Sequence, residues 1–504
     1  MQVSLSQTLL ACRKLCYSGA VRKEESQEFV VPDTMPDIRA ILSATGNVRI
    51  RSKDLSPGRV RLEARLPVRV AYVPEDGTEP RCLETELEYY VTVEDEQIDP
   101  ESFCETRLTL LSLEARLPNP RKVNLRGELL CALRCYAPGQ LPVPGAPEAG
   151  EDGVLVREEA VCVSLVSVAT EKTFAVTDEF DLPESASPAR TLLAQNTALR
   201  TEELRLSGSK LILHGSADSA LLYLAEDGST GALSFSTGFS QVIELGEELP
   251  EEAAVSATLL LTGAYYDLTE VDGVHGTAEV HLAVQVLASV PRKLRCVTDA
   301  YSNRYALQPT LERRSFRRVE RVLTLRETLR ERFATPQPVR EAVQSWASLG
   351  EPSPDPEGLL LPVTVVLYYR TPENVLCAAR HSYPVKLRAE LPEGESLELL
   401  SATVPELALS PAAEGAEVRM TVEARVACTA TRSLDTVSAL EYDETAPLDQ
   451  SERPSLVLLR CTGGDDLWPL AKENCSTPEA IRAANGLDDL EGDWQKLLLI
   501  PKTI

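Results

Sequence analysis

The chain holds 504 residues, 43% of them hydrophobic, with 51 basic against 77 acidic side chains and a net charge of −26. That length exceeds what a single core serves, so several domains are expected, and an acidic balance unbroken by any basic stripe argues against nucleic acid and anionic membranes as partners. Membrane insertion is not expected either: the longest apolar candidate, residues 359–369, contains Pro362 and falls short of the about 18 residues a spanning helix needs.

The opening sequence, MQVSLSQTLLACRKLC, places a short apolar stretch ahead of its charges, the reverse of a secretory signal. The chain is therefore expected to stay in the compartment where it is made. Leu9, Leu10, Cys12, Leu15 and Cys16 predict an amphipathic N-terminal helix, either docking on a partner or strapping the first domain, with the strap preferred.

From residue 27 the chain repeats itself. With an offset of 151, Phe29 meets Phe180, Pro32 meets Pro183, Ile41-Leu42 meet Leu192-Leu193, Tyr72 meets Tyr223, and Glu75-Asp76-Gly77 meet Glu226-Asp227-Gly228. A fainter third copy places Tyr368 at 145 residues beyond Tyr223, and Gly127, Gly276 and Gly415 each precede an alternating stretch. Self-similarity of this kind means repeated structural units. Within each, an extended segment ends at Pro, and a short helix is expected next, over residues 37–44 in the first copy and 189–195 in the second. Strands then dominate: residues 60–73 are apolar at every second position, as one face of a half-buried sheet demands. Glu-Asp-Gly supplies the turn, Gly bringing positive φ.

The fold class expected is mainly β: three sandwich-like repeats of roughly 140 residues, each with a short helix, plus a small C-terminal β-α-α-β domain. The repeats are bounded at residues 1–160, 161–310 and 311–442. Pro-rich residues 137–153 (APGQLPVPGAPEAGEDG) are expected as a surface loop, and the Arg-rich stretch 313–332, alternating with Glu and apolar residues, as a charged strand or helix face. Residues 443–455 form a linker that could reach at most about 40 Å and so hold the tail away from the repeats.

Catalysis finds little footing. The acidic pairs Glu75-Asp76 and Glu226-Asp227 are adjacent residues at turn tips, whereas glycoside hydrolysis needs carboxyls facing one another across about 5 to 10 Å. Twelve cysteines are scattered singly, without a Cys-x-x-Cys pair, and four histidines lack metal spacing. Reduced buried thiols are expected, with no metal and no cofactor. Tyr72, Tyr223 and Tyr368 are read as core or sheet-face residues.

The tail is the most specific segment. Residues 456–461 (LVLLRC) have strand length, Gly463-Gly464 break them, and Asp465 and Asp466 stand where a helix needs an acceptor for its free amides, with Leu467, Trp468, Leu470 and Ala471 following at helical spacing. Ser476 or Thr477 caps a second helix with Pro478 early and Glu479 placed for a capping box. Asn485-Gly486 ends it, and residues 496–500 (KLLLI) form a closing strand stopped by Pro501.

Three strings in this tail resemble the LysM family: Gly464-Asp465-Asp466-Leu467-Trp468, Asn485-Gly486-Leu487, and Trp494-Gln495-Lys496-Leu497-Leu498-Leu499-Ile500-Pro501. Asp466 replaces the usual Thr, and Trp494 the usual Gly. The resemblance implies a shallow groove, which in LysM modules holds N-acetylglucosamine polymers, lined here by Gly464, Asp465, Asp466, Leu467, Asn485, Gly486, Leu487 and Asp488, with Trp494 as a candidate protein-contact anchor. Repeats followed by a LysM further resemble the SipL-like spore-coat morphogenetic proteins of clostridia, whose repeat is the SPOCS domain. That likeness is carried by residues 30–42 (VVPDTMPDIRAIL), the Val-x-Val-x-Tyr strand, Asp299-Ala300-Tyr301-Ser302 and the tail. It implies a non-enzymatic adaptor at the forespore surface, in the mother-cell cytoplasm, whose LysM docks on the coat-basement morphogenetic ATPase. A glycan-binding protein is the alternative.

Overall fold

The computed structural model of the chain describes residues 2–3, 5–147, 153–268, 273–449, 454–460, 465–487, 489, 491–492 and 497–503. Its architecture is mainly β, with two short helices among the described residues, both in the tail.

Each repeat is built on one plan. A long opening strand (Leu5–Val30, Val154–Asp181 or Tyr305–Phe333) pairs antiparallel with the long closing strand of the same unit (Lys122–Pro147, His275–Ser302 or Gly415–Pro447). The closing strand takes the strand before it on its other edge: Phe103–Asn119, Ala254–Asp267 or Glu395–Ala412. The chain between these elements forms a second antiparallel sheet centred on Arg59–Pro74, Lys210–Ala225 or Gly358–Arg370.

The two sheets of a unit face each other, and the alternation in the sequence becomes their core. In the first unit Val60, Leu62, Ala64, Leu66, Val68, Val70 and Tyr72 are buried against Leu125, Leu129, Cys131 and Leu133 of the closing strand. Burying a side chain of this size contributes about 1.5–3 kcal/mol. The offset of 151 survives as strand register: Ile41 lies opposite Tyr72 and Leu192 opposite Tyr223. Tyr72, Tyr223 and Tyr368 are all buried. Two of the singled-out glycines make room for rings, since a Cβ on Gly127 would strike the Tyr89 phenol and one on Gly276 the Phe180 ring.

The segments expected as short helices are strands. Residues 37–44 fall in Ile38–Thr45 and residues 189–195 in Ala189–Ser207. Bulges explain the misreading. The register slips between Ile38 and Ala40 and between Ile41 and Ser43, and at the equivalent Ala189/Thr191 and Leu192/Ala194. Each extra residue shifts the apolar side chains off the two-residue period toward a helical spacing. The N-terminal segment is likewise a strand rather than a helix, with a bulge between Leu15 and Tyr17. The closing strand's full ladder outweighs its local propensity.

Two further expectations change. Pro-rich residues 137–147 continue the closing strand instead of forming a loop, pairing with the opening strand as far as Leu5 opposite Pro147. Past Tyr136, which faces Phe103, that strand has only one ladder partner, so prolines lacking N–H donors are tolerated on its free edge. Residues 148–152 lie outside the described residues. The linker also does not hold the tail apart: the strand Gly415–Pro447 takes up its residues 443–447, and the tail packs on the second unit.

The three units are joined at their cores. One buried cluster combines Ala71 and Cys82, Leu193 and Leu222, and Trp346 and Tyr368, contributed by units one, two and three. A second combines Val143, Val161, Leu294 and Phe316 from the long strands of all three. Around the first cluster, side chains serve the neighbouring unit: Asn47 Nδ2 donates to Thr197 O (3.1 Å) while its Oδ1 accepts from Thr197 N (2.9 Å). Gln344 Nε2 donates to Leu221 O and Leu233 O at 3.1 and 3.0 Å, and Tyr368 OH donates to Ser43 Oγ at 2.6 Å. The Arg-rich stretch lies in the strand Tyr305–Phe333, its arginines pairing with Glu312, Glu395, Glu406 and Glu417. No helix among the described residues is long and apolar enough to cross a membrane.

Candidate functional site

The tail closes as a β-α-α-β domain. Strand Leu456–Arg460 pairs antiparallel with Leu497–Pro501, and between them lie α1 (Leu467–Glu473) and α2 (Pro478–Asn485). Leu467, Ala471, Ile481, Leu498 and Ile500 form its core. Asp466 caps α1, its Oδ1 accepting from Trp468 N at 2.8 Å. Thr477 rather than Ser476 caps α2, accepting from Ala480 N at 3.0 Å, while the Ser476 hydroxyl donates to Pro501 O. Gly486 ends α2 in the left-handed region (φ 58°), where a side chain would strain the backbone.

The residues expected to line a groove carry framework duties. Leu467 is fully buried. Asn485 bridges α2 to the closing strand: its Nδ2 donates to Ile481 O (2.8 Å) and Leu499 O (2.6 Å), and its Oδ1 accepts from Leu499 N (2.7 Å). Leu487 packs on the tail core, and Asp465 pairs through its backbone with Gly492. Gly464, Asp488 and Trp494 lie outside the described residues.

What the sequence did not foretell is a seat for the tail on unit two. Asp299 Oδ2 accepts from the Trp468 indole Nε1 at 2.8 Å, and both its oxygens accept from Lys472 Nζ at 2.7 and 2.9 Å. Arg157 pairs with Asp466 at 2.6 Å. The Tyr301 ring meets Trp468 edge to face with centroids 4.8 Å apart, and its hydroxyl donates to Ser476 O at 2.9 Å. Asn303 Nδ2 donates to Ser476 O (3.1 Å) and Thr503 Oγ1 (2.8 Å). Burial opposes ionisation of Asp299, but Lys472 and Trp468 outweigh it and hold the carboxyl below its usual range. Burial pushes the Tyr301 phenol up, with Glu479 adding to the shift, so it stays a donor. The string Asp299 to Ser302 stood out in the sequence only as part of the family resemblance, and the fold assigns it this role. The tail thus has a held face, carrying Asp466, Trp468 and Lys472, and an open one. On the open face of its sheet Leu456, Leu458 and Leu497 are 47%, 62% and 62% exposed.

Several acidic groups elsewhere are committed. Asp227 accepts from Ser187 Oγ (2.6 Å) and Ser229 N (2.9 Å), and these bonds hold its carboxyl at about 2, as suits a turn. A cavity of about 440 Å³ between units one and three is lined by Glu105, Arg107, Arg134, Glu351 and Glu398. There Glu105 pairs with Arg134 at 2.6 Å and accepts from Thr258 Oγ1 at 3.0 Å, and Glu398 pairs with Arg134 and Arg317. Burial works against the Glu398 charge, yet the arginines prevail and lower its pKa. Chemically this is an ion-paired seam between units.

Comparison with protein-family models, with curated proteins and with solved structures finds no match.

Proposed function

We propose that the chain is a non-enzymatic adaptor of endospore coat assembly: three β units serve as a rigid body, and the tail, a LysM-like domain, docks on the coat-basement morphogenetic ATPase. The observation that carries this reading is the open leucine face of the tail. Leucines about half exposed or more on a paired sheet suit the centre of a protein interface, where apolar anchors in desolvated contact supply most of the affinity. The held face leaves that surface free while fixing the tail to a large support.

The alternative, binding of peptidoglycan or N-acetylglucosamine oligomers, is less well supported. A sugar groove needs free donors and acceptors, and here Asn485 spends both amide atoms on backbone while Asp466 caps α1 and pairs with Arg157. The experiment is a capture assay with the purified ATPase, comparing the intact chain with one lacking residues 455–504. Loss of capture on deletion supports the adaptor. Unchanged capture removes the tail from the mechanism, and heat released on titration with N-acetylglucosamine oligomers at up to millimolar concentration would favour the glycan reading.

A further inference from the structure

The closing strand of unit one carries Cys131 and Cys135, and its neighbour Phe103–Asn119 carries Cys104, with Cys104 directly opposite Cys135. Directly opposite residues of an antiparallel pair project from the same face. Whether their backbones bond to each other decides how close they stand. Cys104 turns its carbonyl away from the closing strand, accepting from Lys53 Nζ at 2.8 Å and Gln285 Nε2 at 3.5 Å. Two residues on, Thr106 N donates outward to Gln285 Oε1 at 2.9 Å. Cys135 in turn directs its carbonyl toward the opening strand, where it accepts from Cys16 Sγ at 3.2 Å. Both cysteines therefore point their backbone polar groups away from each other. Such a non-hydrogen-bonded pair brings the Cα atoms to about 4.5 Å, inside the range of about 4.4–6.8 Å that a disulfide spans.

We propose that Cys104 and Cys135 form a cross-strand modification site, a dithiol that a hydroperoxide converts into a disulfide. The two thiols are chemically unlike. The neighbouring Cys135 thiol lowers the Cys104 pKa; burial opposes this, and the Lys53 ammonium adds to it. The Cys104 thiol and burial raise Cys135. Cys104 is thus the nucleophile and Cys135 the protonated partner. In the first step the Cys104 sulfur attacks the hydroperoxide, the O–O bond breaks, and an alcohol leaves as Cys104 becomes a sulfenic acid. In the second, the Cys135 sulfur attacks the Cys104 sulfur, the S–O bond breaks, and hydroxide departs with the Cys135 proton as water. Two thiols lose two electrons, which the peroxide takes up. All eleven described cysteines are free in the structure.

The test uses the full chain. The reduced protein is treated with hydrogen peroxide, remaining thiols are alkylated after unfolding, and proteolytic peptides are mapped by mass spectrometry. In parallel, the reduced, unfolded chain is refolded in a glutathione redox buffer, which removes any barrier of access to buried sulfurs. Both arms are expected to yield a Cys104–Cys135 linked peptide lighter by two hydrogens, reversed by dithiothreitol, and a raised urea midpoint for the oxidised form. Cys135→Ser should instead leave a sulfenic acid on Cys104 that dimedone traps. Recovery of Cys104 and Cys135 as free thiols in both arms, while Cys12 and Cys16 are fully oxidised, overturns the proposal, as does linkage of Cys104 to Cys131 or Cys16.

Discussion

The joints among the three units and the joint between unit two and the tail are made of different materials. Between units, the buried Gln344 and Tyr368 and the half-buried Asn47 hydrogen-bond into a neighbour's backbone or core, where an unmade bond is costly when water cannot replace it. Under the tail, the buried Tyr301 and Asn303 likewise donate to Ser476 O, but the rest of the polar joint is ion pairs, with Asp299–Lys472 30% and 40% exposed and Arg157–Asp466 39% and 26%. Pairs so open to solvent and salt contribute little each. The body is therefore expected to unfold as one cooperative block, and the tail to lift from it at lower cost.

The largest break in that contrast should come from Tyr368→Ala. It empties a buried site shared by three units and strands Ser43, and an aromatic truncation of this kind costs about 3–5 kcal/mol. Urea unfolding should show one transition with a lowered midpoint; a second, early transition of unit three alone would mean that the units are not welded. Asp299→Ala comes next. It removes the acceptor of the half-buried Trp468 indole and of the solvent-open Lys472, a loss of about 1 kcal/mol expected in the tail joint alone, read as increased amide exchange in α1 and α2 with exchange in the body unchanged.

The same carboxyl sets a pH dependence. Its folded pKa is depressed, so its contribution is complete above the unfolded value of about 3.9 and lost as pH falls through the folded value. Trp468 fluorescence should hold constant through neutral pH and change only in the acid range. Thr477→Ala removes the α2 cap and should cost about 1 kcal/mol, confined to the tail and visible as faster exchange in α2. Smallest is Arg326→Ala: its partner Glu406 and the guanidinium are both more than half exposed, and the urea midpoint should move by less than about 0.5 kcal/mol equivalent.

How much of this was legible follows from how local each signal is. The tail's elements were readable because caps announce themselves within a few residues: Asp466, Thr477 and Gly486 act where their side chains or lack of one demand. The strand Arg59–Pro74 was readable because strict alternation admits one interpretation. Residues 38–45 and 189–195 were not, because paired bulges disguise a strand as a helical period. Prolines 138 to 147 hid a strand whose free edge excuses them. Of the candidate site, Asp466 and Asn485 were picked out, but the framework bonds that occupy them depend on Arg157 and Leu499, residues whose proximity only tertiary structure supplies. The seat at Asp299, Tyr301 and Asn303 lies more than 160 residues from Trp468, beyond the reach of any local pattern.

The proposed docking of the tail through its open leucine face, with its other face held by unit two, is the step on which the adaptor reading depends. It is tested most directly by equilibrium binding of the full chain to the morphogenetic ATPase, with and without Leu458→Glu. A charge placed at the centre of an apolar interface should weaken binding at least about tenfold, since 1.4 kcal/mol suffices for that, with the urea midpoint of the body unaltered. Equal affinity of the two proteins would contradict the account.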